Sequence, residues 1–576
     1  MKGIGASQGI AIGKVFLLEK VEVIPNDTKI DMDSVEDELN RLEKAKEKTK
    51  DQLSKLYDDT IAKVGEKEAS IFDAHLMLID DPILEHKFKG YVSNNFYVAE
   101  TAVRLAMNEV SHMFEELDDE YLRERAGDVI DVCTRLIYNL AEVEIVNLQD
   151  LSEEVIVVSK NLTPSDTVSM NFNKVLGFAT DMGGKTSHVA IIARSLEIPA
   201  VVGMKNIFSK VENDDILIID GCDGTVIINP TEEEITIYRS KQKELKEEKN
   251  ELQKLADKEA ITIDGRRVKI AANVGIEKDV YNALKNGAEA IGLYRTEFQY
   301  MDRVSLPTES ELFEAYKNVA VKMGDKQVIV RTFDIGGDKH INYLNCPQEM
   351  NPFLGYRAIR LCLDRKDIFK TQLKAILRAS NYGNLMIMYP MITHIEQVRQ
   401  ANEILNQAKL ELHNQKIKFN RNIEVGIMIE TPAAATIADL LIKEVDFFSI
   451  GTNDLTQYTI AVDRGNQKIE YLYNSYHPAV LRLIKKVIDE SHKAGKWTGM
   501  CGEFAGDEKA AVLLLGLGLD EFSMSPTSMT KVKRIIRKCN YSSSKKIAED
   551  LLNISSVDEV ENYLDNYINN NNLKEG

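Results

Sequence analysis

The sequence predicts a multidomain protein: an α/β domain, an all-helical segment inserted into it, a charged helical linker, and a C-terminal (β/α)8 barrel of the TIM type. Three observations carry this. Apolar strands at 268–274, 290–294, 328–333, 385–389, 425–429, 447–450, 498–501 and 521–524 alternate with helical stretches, the pattern of eight βα units. Residues 35–140 are rich in Glu, Lys, Leu and Ala with almost no turn signals, which reads as amphipathic helices packed as hairpins. Residues 181–195, D-M-G-G-K-T-S-H-V-A-I-I-A-R-S, place a double glycine and two hydroxyl residues directly before a helical run.

In chain order, residues 1–20 alternate apolar and small residues and end in a strand, K-V-F-L-L at 14–18. Strands return near residue 150, at 155–158, 175–178, 216–219 and 226–228. The expected α/β domain is therefore split, 1–30 with 145–230, around a helical insert at 31–144. Within the 181–195 run, Val189, Ile192, Ala193 and Leu196 fall at i, i+3, i+4 and i+7 as one apolar stripe. Thr186 and Ser187 are good N-caps, and Ile198-Pro199 closes the helix. His188 then sits in the first turn, where free N–H groups and the helix dipole favour an anion. A lone histidine is more often structural. The glycines, hydroxyls and helix start shift the reading toward a nucleophile that can carry a phosphoryl group.

Residues 231–260 form a highly charged linker helix with few apolar positions. The barrel domain takes the remainder, 261–576, with a final helix beyond about residue 540 that frays into Asn569–Asn572.

Bulk properties narrow the partners. A formal charge of −19 argues against nucleic acid, and six scattered cysteines without a C-x-x-C pair fit a reduced cytosol. The glycine-broken start is no signal peptide, and no apolar run approaches the ~20 residues that span a bilayer. A cytoplasmic protein without a membrane partner is expected.

A barrel's active site lies where its strands end. Arg295 follows the second strand, Arg331 ends the third and Glu430 the fifth; Asn453, Asp454 and Arg464 follow the sixth, and Cys501 ends the seventh. Arg357 and Arg360 lie between strands three and four. A single strand-end arginine is usually a salt-bridge partner. Several at one mouth would repel one another unless an anion sits between them, and guanidinium forks match phosphate and carboxylate. Glu430 and Asp454, with only oxygen ligands nearby, suit Mg²⁺ shared with a substrate phosphate. A small, phosphorylated, carboxylate-bearing substrate is expected.

At these residues the chain resembles a known family. G-G-K-T-S-H-V-A-I-I-A-R-S-L-E-I-P-A-V-V-G resembles the phosphohistidine motif of the phosphoenolpyruvate-utilising enzymes. Y-R-T-E-F, R-T-F-D-I-G-G-D-K, N-P-F-L-G-Y-R-A-I-R, I-G-T-N-D-L-T-Q-Y and G-M-C-G-E resemble the barrel blocks of that superfamily. The domain order is similar to the Enzyme I family of bacterial sugar phosphotransferase systems, over essentially the whole chain. The resemblance implies that His188 is phosphorylated by phosphoenolpyruvate and that Thr167 orients its imidazole. It also implies that Arg295, Arg331, Asn453, Asp454 and Arg464 bind substrate, that Glu430 and Asp454 hold Mg²⁺, and that Cys501 protonates the enolate to give pyruvate. The implied acceptor is a histidine-containing phosphocarrier protein docking on the helical insert, with residues 70–80 a possible surface, mostly core with some side chains outward. His75, His86 and His112 are read as structural or surface histidines. A homodimer through the barrel and a swivel about the linker are implied as well.

Three rivals are weaker. A pyruvate–phosphate dikinase or phosphoenolpyruvate synthase needs a further ATP-binding domain, and no G-x-x-x-x-G-K-[ST] loop is present. A nitrogen-regulatory relative would add an N-terminal sensory domain. A scaffold without turnover would not need every reactive position filled.

Overall fold

The computed structural model describes residues 1–19, 29–63, 66–115, 120–143, 148, 151–163, 166–167, 170–171, 173–184, 187–301, 303, 305–336, 341–344, 349–466 and 468–574. It divides into two compact units, Met1–Glu247 and Glu248–Gly576, taken in turn below.

The first unit is built on a seven-stranded sheet of order β1-β5-β4-β3-β2-β6-β7. Its strands are β1 Ile4–Ser7, β2 Ile10–Leu17, β3 Val155–Ser159, β4 Val175–Thr180, β5 Ala200–Val202, β6 Ile216–Asp220 and β7 Thr225–Ile228. The opening of the chain thus supplies two strands rather than one. β2 lies mid-sheet, parallel to β3 (Val15 opposite Ile156) and antiparallel to β6 (Ile12 opposite Ile218). Successive side chains alternate faces: Val155 and Val157 join one apolar cluster with Phe178 and Ala190, while Ile156 and Val158 join another with Leu217 and Ile219. The sheet is therefore buried on both sides, which explains its continuous apolar runs.

Among the described residues between β2 and β3 run five α-helices, α1 Val35–Lys63, α2 Glu66–Ile79, α3 Pro82–Asn95, α4 Ala99–Glu115 and α5 Glu120–Leu140. Leu42, Ile79, Phe88, Val103 and Leu136, one from each, meet in a single core. Local chemistry sets the turns: Asp81 accepts from the amides of Ile83 and Leu84, with Pro82 pre-set in the first turn of α3. The charged helix spans Glu232–Gln253. It is shorter than the predicted 231–260 because residues 254–257 form turns and Leu252 and Ala256 are buried.

In the second unit eight parallel strands close a barrel: β8 Lys269–Val274, β9 Ala290–Tyr294, β10 Val328–Arg331, β11 Leu385–Tyr389, β12 Val425–Ile429, β13 Phe447–Ile450, β14 Trp497–Met500 and β15 Glu521–Met524. The period of two sorts their residues. Val328, Val330, Leu385, Ile387, Ile427 and Ile429 face outward into the layer shared with the helices. Leu293, Ile329, Met386, Met388, Met428 and Phe447 form a separate cluster inside the barrel, where flexible methionines suit an irregular space.

The chain end departs from expectation. Two helices, Tyr541–Leu551 and Val557–Asn570, replace one, and the asparagines do not fray. Leu573 is buried, its amide donating to the Ile568 carbonyl, because Val560, Leu564 and Ile568 make a continuous apolar stripe with it.

Candidate active site

The period that packs the barrel interior also aims its chemistry. Arg295, Arg331 and Glu430 lie two residues beyond the inward-facing Leu293, Ile329 and Met428, so each emerges at the C-terminal mouth. There a cavity of about 430 Å³ is lined by Arg295, Arg331, Glu430, Asn453, Asp454, Arg464 and Cys501 together. All seven predicted barrel residues are brought to one place. Arg357 joins them, whereas Arg360 does not: it donates to the carbonyls of Leu354 (2.6 Å) and Gly355 (2.9 Å).

The arginines are not held together as the sequence suggested. Arg331 Nη2 pairs with Glu297 Oε1 at 2.7 Å and its Nη1 with Asp334 Oδ2 at 2.6 Å. The other oxygen of Asp334 meets Arg357 Nη2 at 3.0 Å. Buried Asp334 therefore bridges the two buried guanidiniums, Glu297 fixes Arg331 further, and no missing anion is required between them. Burial works against both charged guanidiniums, but these neighbours more than offset it and hold their pKa values above the ordinary. Behind them Thr296 donates to the Arg331 carbonyl (2.8 Å), Gln372 to Thr296 (3.0 Å), and the Phe333 amide to Gln372 (2.8 Å).

Arg295 is different. Among the described residues its guanidinium has neither hydrogen bond nor ion pair, and it faces the cavity. Arg464 is about one-third exposed, with Asp454 Oδ1 at 3.5 Å. Arg295 is thus the cation most available to an incoming anion, with Arg464 only loosely paired beside it.

Six acidic residues line the cavity against four arginines, an excess that favours a cation. It concentrates at Glu430 and Asp454, both buried. Glu430 accepts from the Met391 amide at 2.5 Å; burial first, then the charges of Asp454 and Asp334, push its carboxyl up to about 8. Asp454 has two long ion pairs, Arg464 at 3.5 Å from Oδ1 and Arg357 at 3.6 Å from Oδ2, and its Oδ1 accepts no hydrogen bond. Two hard oxygen donors, one of them accepting no hydrogen bond, fit Mg²⁺, which takes few protein ligands and completes its shell with water and phosphate. Among the described residues no group of three or more His, Cys, Asp or Glu forms a fuller cage.

Asn453 Oδ1 accepts from the Glu503 amide (3.0 Å), and its carbonyl accepts from the Tyr473 hydroxyl (3.0 Å). Cys501 is buried at the cavity wall, and burial pushes its thiol up to about 11. Its neighbour Gly502 is required: a Cβ there would lie 1.9 Å from Thr452 Oγ1. Sequence reasoning missed Glu297, Asp334 and Tyr473. The first two stand inside Y-R-T-E-F and R-T-F-D-I-G-G-D-K, two and three residues beyond the arginines chosen, so the signal was present.

The remaining two predicted residues belong to the first unit. His188 opens the helix His188–Ser195, capped by Ser187 Oγ accepting from the Ala190 amide, while Thr186 and the His188 side chain lie outside the described residues. Gly183, at φ +105, supplies the turn that leads there. Thr167 is buried and donates to the Thr163 carbonyl at 3.0 Å. Along α2, Phe72, His75 and Ile79 are core, whereas Asp73 and Met77 face outward; Met77 is 74% exposed. His75 sits 3.4 Å from Asp128 Oδ1, a buried structural contact. No helix among the described residues is long and apolar enough to cross a membrane.

Comparison with known proteins agrees along the chain. The PEP-utilising enzyme family models match in three parts: N-terminal at residues 2–125, mobile domain at 151–224 and PEP-binding domain at 249–541. The Phosphoenolpyruvate-protein phosphotransferase of Haemophilus influenzae is 48% identical over 573 residues, covering 100% of both chains. That of Listeria monocytogenes is 51% identical over 98% of this chain and 99% of its own, and that of Staphylococcus aureus 49% over 99% of each. Among solved structures, an NMR solution structure of Enzyme I (nEIt) is 46% identical, covering 43% of this chain and 99% of its own, with a TM-score of 0.39.

Proposed function

The chain belongs to the phosphoenolpyruvate-protein phosphotransferase family, and from that premise we propose that it moves the phosphoryl group of phosphoenolpyruvate onto His188, releases pyruvate, and passes the group to a histidine of a phosphocarrier protein. The observation that carries this reading is the meeting of Arg295, Arg331, Glu430, Asn453, Asp454, Arg464 and Cys501 around one cavity.

Arg295 and the part-exposed Arg464, loosely paired with Asp454 at 3.5 Å, grip the phosphate, and Arg331 presents a guanidinium already fixed by Glu297 and Asp334. Asn453 completes the cradle. Glu430 and Asp454 would hold Mg²⁺. Bound there, the ion supplies positive charge and orientation for the phosphoryl oxygens. A ring nitrogen of His188 attacks phosphorus while the bond to the enol oxygen breaks. The enolate then takes the proton of the Cys501 thiol at its methylene carbon, giving pyruvate, and the thiolate recovers a proton from water. A thiol pushed up to about 11 keeps its proton at neutral pH, the state this step needs. Thr167, which donates to the Thr163 carbonyl, is the residue that would orient the imidazole so that one nitrogen attacks.

The charged helix Glu232–Gln253 joins the two units, and His188 must reach both the cavity and the acceptor. The outward residues of α2, Met77 foremost, are the proposed acceptor surface. A homodimer through the barrel and a cytoplasmic location complete the reading. Incubation with phosphoenolpyruvate and Mg²⁺ should place acid-labile phosphate on the chain, absent in His188→Ala. Undiminished labelling of that variant would overturn the assignment, and no labelling of the parent would leave a scaffold.

A further inference from the structure

The opposite mouth of the barrel, where the strands begin, holds a second cavity of about 400 Å³. Lys269 opens β8, Glu289 immediately precedes β9, and Lys326 stands two residues before β10, so all three belong to this N-terminal rim. At about 3.3 Å per residue the two rims are roughly 15–20 Å apart along a strand.

Cations dominate the lining: Lys258, Arg267, Lys269, Lys326 and Lys533, against Asp257, Glu259 and Glu289. On a chain of formal charge −19 this local reversal of sign calls for a reason. Two of the acids are engaged, Arg267 pairing with Glu259 at 2.8 Å and Glu289 at 3.4 Å. Lys533 is fully buried and rests its ammonium on the carbonyls of Ala256 (2.8 Å) and Gly287 (3.3 Å). Lys326 donates to the Ala288 carbonyl at 2.8 Å. Among the described residues neither ammonium has a carboxylate within ion-pair distance, and Lys258 has no partner. Carbonyls position an ammonium without neutralising it, so positive charge remains facing the cavity. Beside it, Glu289 Oε1 is buried with no hydrogen-bond donor. That combination asks for an anionic head that also carries a donor.

We propose that this cavity binds a small hydroxylated organic anion, its phosphate or carboxylate head on Lys258, Lys326 and Lys533 and a hydroxyl donating to Glu289 Oε1. The volume suits a metabolite-sized ligand. The site is independent of the phosphoryl-transfer reading, because it shares no residue with the C-terminal cavity.

The chain carries its own reporter. Trp497 is the single tryptophan, and Lys269 Nζ, which lines the cavity, lies 5.5 Å from its ring centroid. The full-length protein is titrated with glycerol 3-phosphate, glycerate and inorganic phosphate at constant ionic strength, followed by calorimetry with Trp497 emission as the local signal. Saturable binding of glycerol 3-phosphate or glycerate is expected, several-fold tighter than inorganic phosphate, and the comparison of the two identifies the preferred head. The Lys258→Gln/Lys326→Gln double variant, altered only at exposed residues, should bind at least tenfold more weakly while phosphorylation by phosphoenolpyruvate stays unchanged. Glu289→Gln should abolish the preference for the hydroxylated ligands. Arg295→Ala should leave binding intact, which separates this site from the other mouth. No saturable heat with any probe, binding that survives the double variant, or binding lost with Arg295→Ala would each overturn the proposal.

Discussion

The two mouths of one barrel solve opposite electrostatic problems. At the C-terminal mouth the guanidiniums of Arg331 and Arg357 are locked by Glu297 and Asp334, and acidic side chains outnumber basic ones. At the N-terminal mouth the ammoniums of Lys326 and Lys533 rest on carbonyls, and basic side chains outnumber acidic ones. Charge pairing gives rigidity and an appetite for a cation alongside the substrate. Carbonyl anchoring gives position while the charge stays available. Counting arginines at a rim is therefore a poor guide to its sign, because the carboxylates that fix them come from loops beyond the strand ends.

The comparison can be broken at four points. The largest effect is expected from Cys501→Ala, which removes the proposed proton donor: pyruvate formation should fall by about 10²–10⁴-fold, measured by coupled assay, with the fold intact by circular dichroism. Next is Asp334→Asn. It leaves Arg331 and Arg357 without their shared counter-charge and should cost about 3–5 kcal/mol in urea denaturation. A loss no greater than for a surface substitution would show that the upper mouth is not locked as described.

The third concerns Glu521, buried at the lower mouth, where Gln327 donates to it at 3.0 Å and Lys269 lies 3.8 Å away. Burial pushes its carboxyl up to about 7 despite both neighbours. A carboxyl whose folded pKa exceeds its unfolded one stabilises the fold at acid pH, and that contribution is lost as pH rises through 7. Stability should therefore decline between about pH 5 and 7 by roughly 1–3 kcal/mol, and Glu521→Gln should flatten that decline. An identical pH profile in the variant would remove Glu521 from the account. Smallest is Lys258→Gln, an exposed residue with no partner to lose, expected to change stability by less than about 0.5 kcal/mol. A larger loss would mean that the lower mouth is held by its lysines and is not an open cation surface.

The tail shows where local reading failed. A run of asparagines after a helix reads as fraying, yet Leu573 one turn on meets Ile568 and Leu564 and holds the end down. One apolar residue outweighs four polar ones when a buried stripe already exists for it.

By itself the sequence determined the eight strands, through their spacing, and the place of Arg295, Arg331 and Glu430 where those strands end. It also marked the helix opening at His188 through Gly183 and Ser187, because those signals are local. Only the tertiary structure decided that Glu297 meets Arg331, that Asp334 bridges Arg331 and Arg357, and that Lys269, Gln327 and Glu521 meet at the foot of the barrel. Those contacts depend on strands distant in sequence closing in one register, and no local pattern of residues encodes which distant side chain will arrive.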